Sequence, residues 1–169
     1  VRPRVGCNVG ARAAISSGRR IFSRGTRNRT PGDSVLRAVL EKLPVIFLDC
    51  QTTAASPNSG HLLEVAWMRA DGIEDISECS ISIHSFVLSL PRGEEIPGRI
   101  AGMTGITDEM VREGIDPEEL VRLLEPALKG RLPVAHYAAF EARWLNDLLN
   151  RNSSGKGAEL SMVCTREIA

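Results

Sequence analysis

The 169-residue sequence contains no C-x-x-C pair: Cys7, Cys50, Cys79 and Cys164 stand far apart. That spacing argues against a zinc site or a disulfide framework and for reduced thiols in a cytoplasmic protein. No apolar run approaches the ~20 residues that a membrane span needs. The N-terminal stretch also lacks the apolar core of a secretory signal, so no membrane association is expected. Acidic residues are missing from residues 1–32, which carry eight arginines. The formal net charge of zero therefore hides two unlike parts: from Asp33 onward, 13 Lys/Arg stand against 21 Asp/Glu.

What is present suits one globular domain. Hydrophobic residues make up 43% and charged residues 25% of the chain, enough to bury a core of its own. Residues 1–32 are rich in Gly, Arg and Ser without a sustained period, and read as a basic, disordered extension. Such an arm fits phosphate binding, an organelle transit peptide, or an extension with no role; the last is favoured, and no site is assigned there.

Residues 31–44 (PGDSVLRAVLEKLP) read as a short helix capped by Asp33 or Ser34 and ended by Pro44. VIFLDC (45–50) is a continuous apolar run, expected as a central strand covered on both faces. HLLEVAWMRADG (61–72) is a second strand with Leu63, Val65 and Trp67 on one face and a turn at Asp71-Gly72. ECSISIHSFVLSL (78–90) alternates Cys79, Ile81 and Ile83 against Ser80, Ser82 and His84, a half-buried strand. These three are expected to be antiparallel neighbours.

The C-terminal half turns helical. In IDPEELVRLLEPALKG, Asp116 is a candidate cap, Pro117 sits at the first helical position and Glu119 completes a capping box. Leu120, Leu123, Leu124, Ala127 and Leu128 form the expected buried stripe, Gly130 the stop, and Pro126 a kink or an early end. LPVAHY is a short strand, AAFEARWLNDLLN a helix burying Phe140, Trp144, Leu145 and Leu148, and SMVCTREIA a strand running into a helix. The plan is α/β, a mixed sheet of three antiparallel strands plus parallel strands, covered by helices.

Catalytic groups in such sheets gather at strand ends and helix starts. Asp49 stands near the end of the first strand, and Glu141 in the first turn of a helix that follows a strand. Two such carboxylates suit Mg²⁺ or Mn²⁺, which prefer oxygen ligands. The same residues also serve turns and caps, so spacing alone leaves both readings open.

Several separated segments add to this. VIFLDCQTTAASPNSGHLLEVAWMRADG, IPGRIAGMTGITDEMV, LPVAHYAAFEARWL and VCTREIA, in this order, resemble the motifs of the DnaQ-like (RNase T and DNA polymerase III epsilon) 3′–5′ exonucleases of the DEDD superfamily. The resemblance runs from about Val45 to Ala169 and implies a ribonuclease-H-like fold. It implies hydrolysis of phosphodiester bonds at the 3′ end of single-stranded DNA or RNA, giving nucleoside 5′-monophosphates with the help of two Mg²⁺ or Mn²⁺ ions. Position by position, Asp49 matches the first metal-ligating aspartate, Gln51 a ligating glutamate, and Glu141 the aspartate of the second motif. Thr52 and Thr53 match turn residues beside the terminal nucleotide. His136, which ends the strand of the second motif, is grouped with the substrate-binding residues rather than as the base. Polymerase or helicase partners are compatible with the resemblance.

Four departures stand out. Gln51 brings no charge, so metal affinity is expected to fall. Glu141 is a methylene longer than aspartate, Ala54 replaces a glycine and needs negative φ, and Tyr137 replaces an asparagine. The third motif, with the last metal aspartate and the water-orienting residue, is expected C-terminal to Ala169. Residues 33–169 thus read as an incomplete exonuclease domain that is inactive as a fragment. A binding module that kept the fold and lost the chemistry is the alternative, and a structural fragment of a polymerase- or helicase-associated protein a remoter one. Glu64 reads as a neighbour of the metals or a half-exposed strand carboxylate, His61 and His84 as surface residues, and Trp67, Trp144 and Phe140 as core. Cys50 and Cys164 read as small buried hydrophobes.

Overall fold

The computed structural model describes residues 42–72, 82–152 and 159–168. The basic extension and most of residues 31–44 lie outside them, as do Cys79 and Ile81; of the end of the expected short helix, Lys42 lies in a turn and Leu43 and Pro44 in no regular element. Three strands follow: β1 (Val45–Thr52), β2 (Leu62–Ala70) and β3 (Ile83–Val87). Two short helices, α1 (Gly98–Thr104) and α2 (Asp108–Arg112), precede α3 (Pro117–Leu128). The chain continues through β4 (Leu132–Ala135), α4 (Ala138–Asn152), β5 (Val163–Cys164) and α5 (Thr165–Ile168).

The sheet order is β3-β2-β1-β4-β5, with β1/β2 and β2/β3 antiparallel and β1/β4 and β4/β5 parallel. This is the mixed sheet the sequence implies, with β1 at its centre. β1 runs beside β2 for its whole length, from Val45 opposite Ala70 to Thr52 opposite Leu62. Against β4 it pairs only from Val45 to Phe47. That early parting decides where the site forms.

Each face of β1 has its own chemistry. Leu48 opposes Trp67 and Cys50 opposes Val65 on one face, whereas Asp49 opposes Ala66 and Gln51 opposes Glu64 on the other. The first face packs against Leu120, Val121 and Leu124 of α3 and Leu145 and Leu148 of α4, forming the main core. Burying one such leucine contributes on the order of 1.5–3 kcal/mol. On the second face Phe47 is half-buried and Asp49 exposed. The strand is therefore packed on one face, not on both as its unbroken apolar run suggested.

Three further expectations are corrected. Ile83 is 62% exposed, while His84 and Phe86 pack on Trp67 with ring centroids 5.6 and 5.1 Å away. Register is the reason: Trp67 opposes His84, so the even-numbered residues of β3 share the core face. In α3 the buried positions are Leu120, Val121, Leu124 and Ala127, and Leu123 is 42% exposed. At 100° per residue, Leu124 lies between Leu120 and Val121 on the inward face, and Leu123 falls outside it. Asp116 makes no side-chain capping bond, although Pro117 does open the helix. The helix runs through Pro126 to Leu128, and Gly130 follows with φ 72°, the left-handed conformation that glycine adopts at little cost.

The segment 98–112, absent from the helix reading of the sequence, closes a smaller cluster of Leu63, Ile96, Ile106 and Val111. Among the described residues no helix is long and apolar enough to cross a membrane.

Candidate active site

β1 presents Asp49 and Gln51 side by side, as alternate residues of a strand must be. The Gln51 Nε2 group donates to Asp49 Oδ2 at 2.9 Å. The hydrogen bond holds the carboxylate in place while occupying one of its oxygens. Turning the Gln51 amide over would present its oxygen to the same space instead. Next along this face, Glu64 accepts a hydrogen bond from the Ser85 hydroxyl.

The turn after β1 is fixed by its threonines. Thr52 Oγ1 donates to Ala54 O at 2.7 Å; Thr53 Oγ1 accepts the His61 N–H at 2.7 Å, and the Thr53 N–H donates to His61 O at 2.9 Å. The returning chain passes so close that a Cβ on Gly60 would lie 2.5 Å from Thr53 Oγ1. Ala54 does not have positive φ, so the alanine is accommodated here.

α4 delivers Glu141. The helix start is pinned by the N–H groups of Phe140 and Glu141, which donate to Tyr137 O at 2.9 and 3.2 Å. It is also tied to β5 and α5: Cys164 Sγ donates to His136 O at 3.4 Å, and His136 Nδ1 lies 3.1 Å from Thr165 Oγ1. Because β4 leaves β1 after Phe47, the β1 backbone beyond has no parallel strand beside it. Cys50 stands near the Glu141 carboxyl, and its thiol and backbone favour the charged form of that group. Glu141 is 6% exposed, yet among the described residues its Oε2 has no hydrogen-bond partner.

This environment raises the Glu141 pKa to about 7. Burial is the main cause, and the Asp49 carboxylate adds to it; the Cys50 thiol and backbone oppose it. Cys50 is itself held well above its usual pKa, by burial first and then by Glu141. A strand residue and a helix residue 92 positions apart thus share one electrostatic site.

A divalent cation fits part of this arrangement. Glu141 Oε2 is a buried, unpartnered oxygen, Asp49 is exposed beside it in the field, and all donors are hard oxygens. Among the described residues, however, no group of three or more His, Cys, Asp or Glu side chains gathers to hold a metal. Gln51, beside Asp49, is uncharged and donates to it. Cys50 is the functional neighbour that sequence reasoning missed. Its burial was expected, but its place beside Glu141 depends on where β4 ends, which no motif records. His136 is exposed, and among the described residues its ring meets the Thr165 hydroxyl. A cleft of about 350 Å³ lined by Pro57, His61, Leu88, Trp144, Asp147 and Arg151, among others, contains none of the expected site residues.

No protein-family model and no curated protein sequence matches this chain. Solved structures do. A product-bound exonuclease I is similar with a TM-score of 0.59 and 14% identity, over 75% of this chain and 31% of that one. Exonuclease I from Methylocaldum szegediense is similar with a TM-score of 0.59 and 18% identity, over 75% and 28%. The zinc-bound E. coli exonuclease I–single-stranded DNA complex is similar with a TM-score of 0.54 and 16% identity, over 65% and 24%. The chain therefore spans under a third of the length of these proteins. The fold is ribonuclease-H-like, shared with part of exonuclease I.

Proposed function

We propose that this chain is the core of a metal-dependent 3′–5′ exonuclease that hydrolyses phosphodiester bonds at the 3′ end of single-stranded DNA or RNA, giving nucleoside 5′-monophosphates. What supports the reading is that Asp49 acts electrostatically on Glu141, whose buried oxygen lacks a partner among the described residues, in a fold shared with part of exonuclease I. Exonuclease I has been solved with zinc and with single-stranded DNA, which supports metal use and a single-stranded substrate here.

Asp49 and Glu141 would hold Mg²⁺ or Mn²⁺, with Gln51 a weak ligand through its amide oxygen. The chemistry a bound dication supplies is activation of the attacking water and stabilisation of the leaving 3′ oxygen. The chain's own part is positioning. Cys50 and the helix start aim the Glu141 carboxyl, and Gln51 orients Asp49. The turn that Thr52 and Thr53 brace stands beside the carboxylates, where a terminal nucleotide would lie, and His136 flanks the helix start.

The test is a 3′-labelled single-stranded oligonucleotide incubated with Mg²⁺ or Mn²⁺ and the full-length product of the open reading frame. Labelled mononucleotide should appear first and only with metal; failure to release mononucleotides would overturn the proposal. A second reading, a binding module without catalysis, is favoured by the Gln51–Asp49 hydrogen bond, which ties up the strongest ligand. It predicts oligonucleotide binding with neither metal uptake nor cleavage.

A further inference from the structure

Tyr137 is the single tyrosine of the chain and remains 51% exposed at the start of α4. Its ring lies within 7° of parallel to that of Phe140, with centroids 6.3 Å apart. Phe140 in turn rests against Trp144 at 6.4 Å. The Arg166 guanidinium stands 5.2 Å from the Tyr137 ring centroid. A half-exposed aromatic packed near-parallel to a second ring, with a guanidinium over its face, is chemistry that recognises a nucleobase and its phosphate together once the guanidinium moves from the ring to the phosphate. The ring is already held in place, so stacking on it costs little conformational freedom. It also belongs to the turn that positions the carboxyl: the Glu141 N–H donates to Tyr137 O at 3.2 Å, one helical turn away.

We propose that Tyr137, braced by Phe140 and flanked by Arg166, is a stacking platform for a nucleobase of single-stranded nucleic acid held beside the Asp49–Glu141 pair. The proposal rests on the exonuclease reading for its ligand and goes beyond it in assigning a subsite. From Asp33 onward the chain carries 13 basic against 21 acidic residues, so general attraction for phosphate is weak there. Affinity then depends on local contacts of this kind.

The experiment uses the full chain with a chelator present, so that nothing is cleaved, and a fluorescein-labelled oligothymidylate as probe. Tyr137→Ala should weaken binding about tenfold, while Tyr137→Trp should retain it. Incorporated 3-fluorotyrosine gives one ¹⁹F resonance, which should shift with the oligonucleotide and stay in place with an abasic strand of equal length. This second measurement needs no variant to fold. Binding without a shift, or an equal shift with the abasic strand, overturns the platform and leaves the exonuclease reading standing. Absence of any oligonucleotide binding by the unaltered chain overturns both.

Discussion

Glu141 is the residue on which the proposed chemistry turns, because its position is unfavourable for a charge and one of its oxygens lacks a partner among the described residues. Its folded pKa of about 7 exceeds the ordinary value of 4.5, so the folded state holds a proton that the unfolded state releases earlier. Stability from this group is full below about 4.5 and is lost as pH rises through about 7. Glu141→Gln should therefore flatten the fall in metal-free stability across that window. Denaturant melts at several pH values should show a slope reduced by roughly 1–3 kcal/mol over the range. Gln51→Glu should act the other way on function, adding a charge beside Asp49 and raising Mn²⁺ affinity by about tenfold or more. Calorimetric titration of that variant checks it, and unchanged affinity would mean that position 51 is no ligand. Asp49 and Glu141 were singled out by the ordered motifs that resemble the exonucleases, since a carboxylate near a strand end and another in a first helical turn equally serve turns and caps. The Cys50 contact was not, since it depends on the length of a neighbouring strand.

The elements show where pattern suffices and where it fails. Leu145 is fully buried between α4 and the sheet, and its place in the apolar period of the helix was readable. Leu145→Ala should cost about 2–5 kcal/mol, seen as a lowered thermal midpoint. β3 was legible as a strand but not in its orientation: alternation separates two faces without saying which one packs, and only its register with β2 turns His84 and Phe86 toward Trp67. α3 shows the same limit, because Val121 and Leu123 are both apolar and only the angle around the helix decides between them. The turn after β1 depends on close approach at Gly60, where an added Cβ would meet Thr53 Oγ1 at 2.5 Å and Ala54 Cβ at 2.6 Å. Gly60→Ala should displace Thr53 and weaken substrate binding more than it lowers stability. Parallel measurement of oligonucleotide affinity and thermal midpoint tests this, and an equal loss in both would contradict it.

At the scale of the molecule, a central strand packed on one face, a parallel partner that stops early and a helix arriving beside the gap bring two distant acids into one field. The order of strands and helices was legible because each is bounded by its own Pro, Gly or capping residue. The helix pair at 98–112 was not, since α1 and α2 span only seven and five residues and show little periodicity. The most direct test of the shared site is a double-mutant cycle on Mn²⁺ affinity, measured calorimetrically for the unaltered chain, Asp49→Ala, Glu141→Ala and the double variant. One common ion predicts that either single change removes most of the binding and that the second adds little. Two losses that simply add, or a single change without effect, would show that the acids do not act on the same cation.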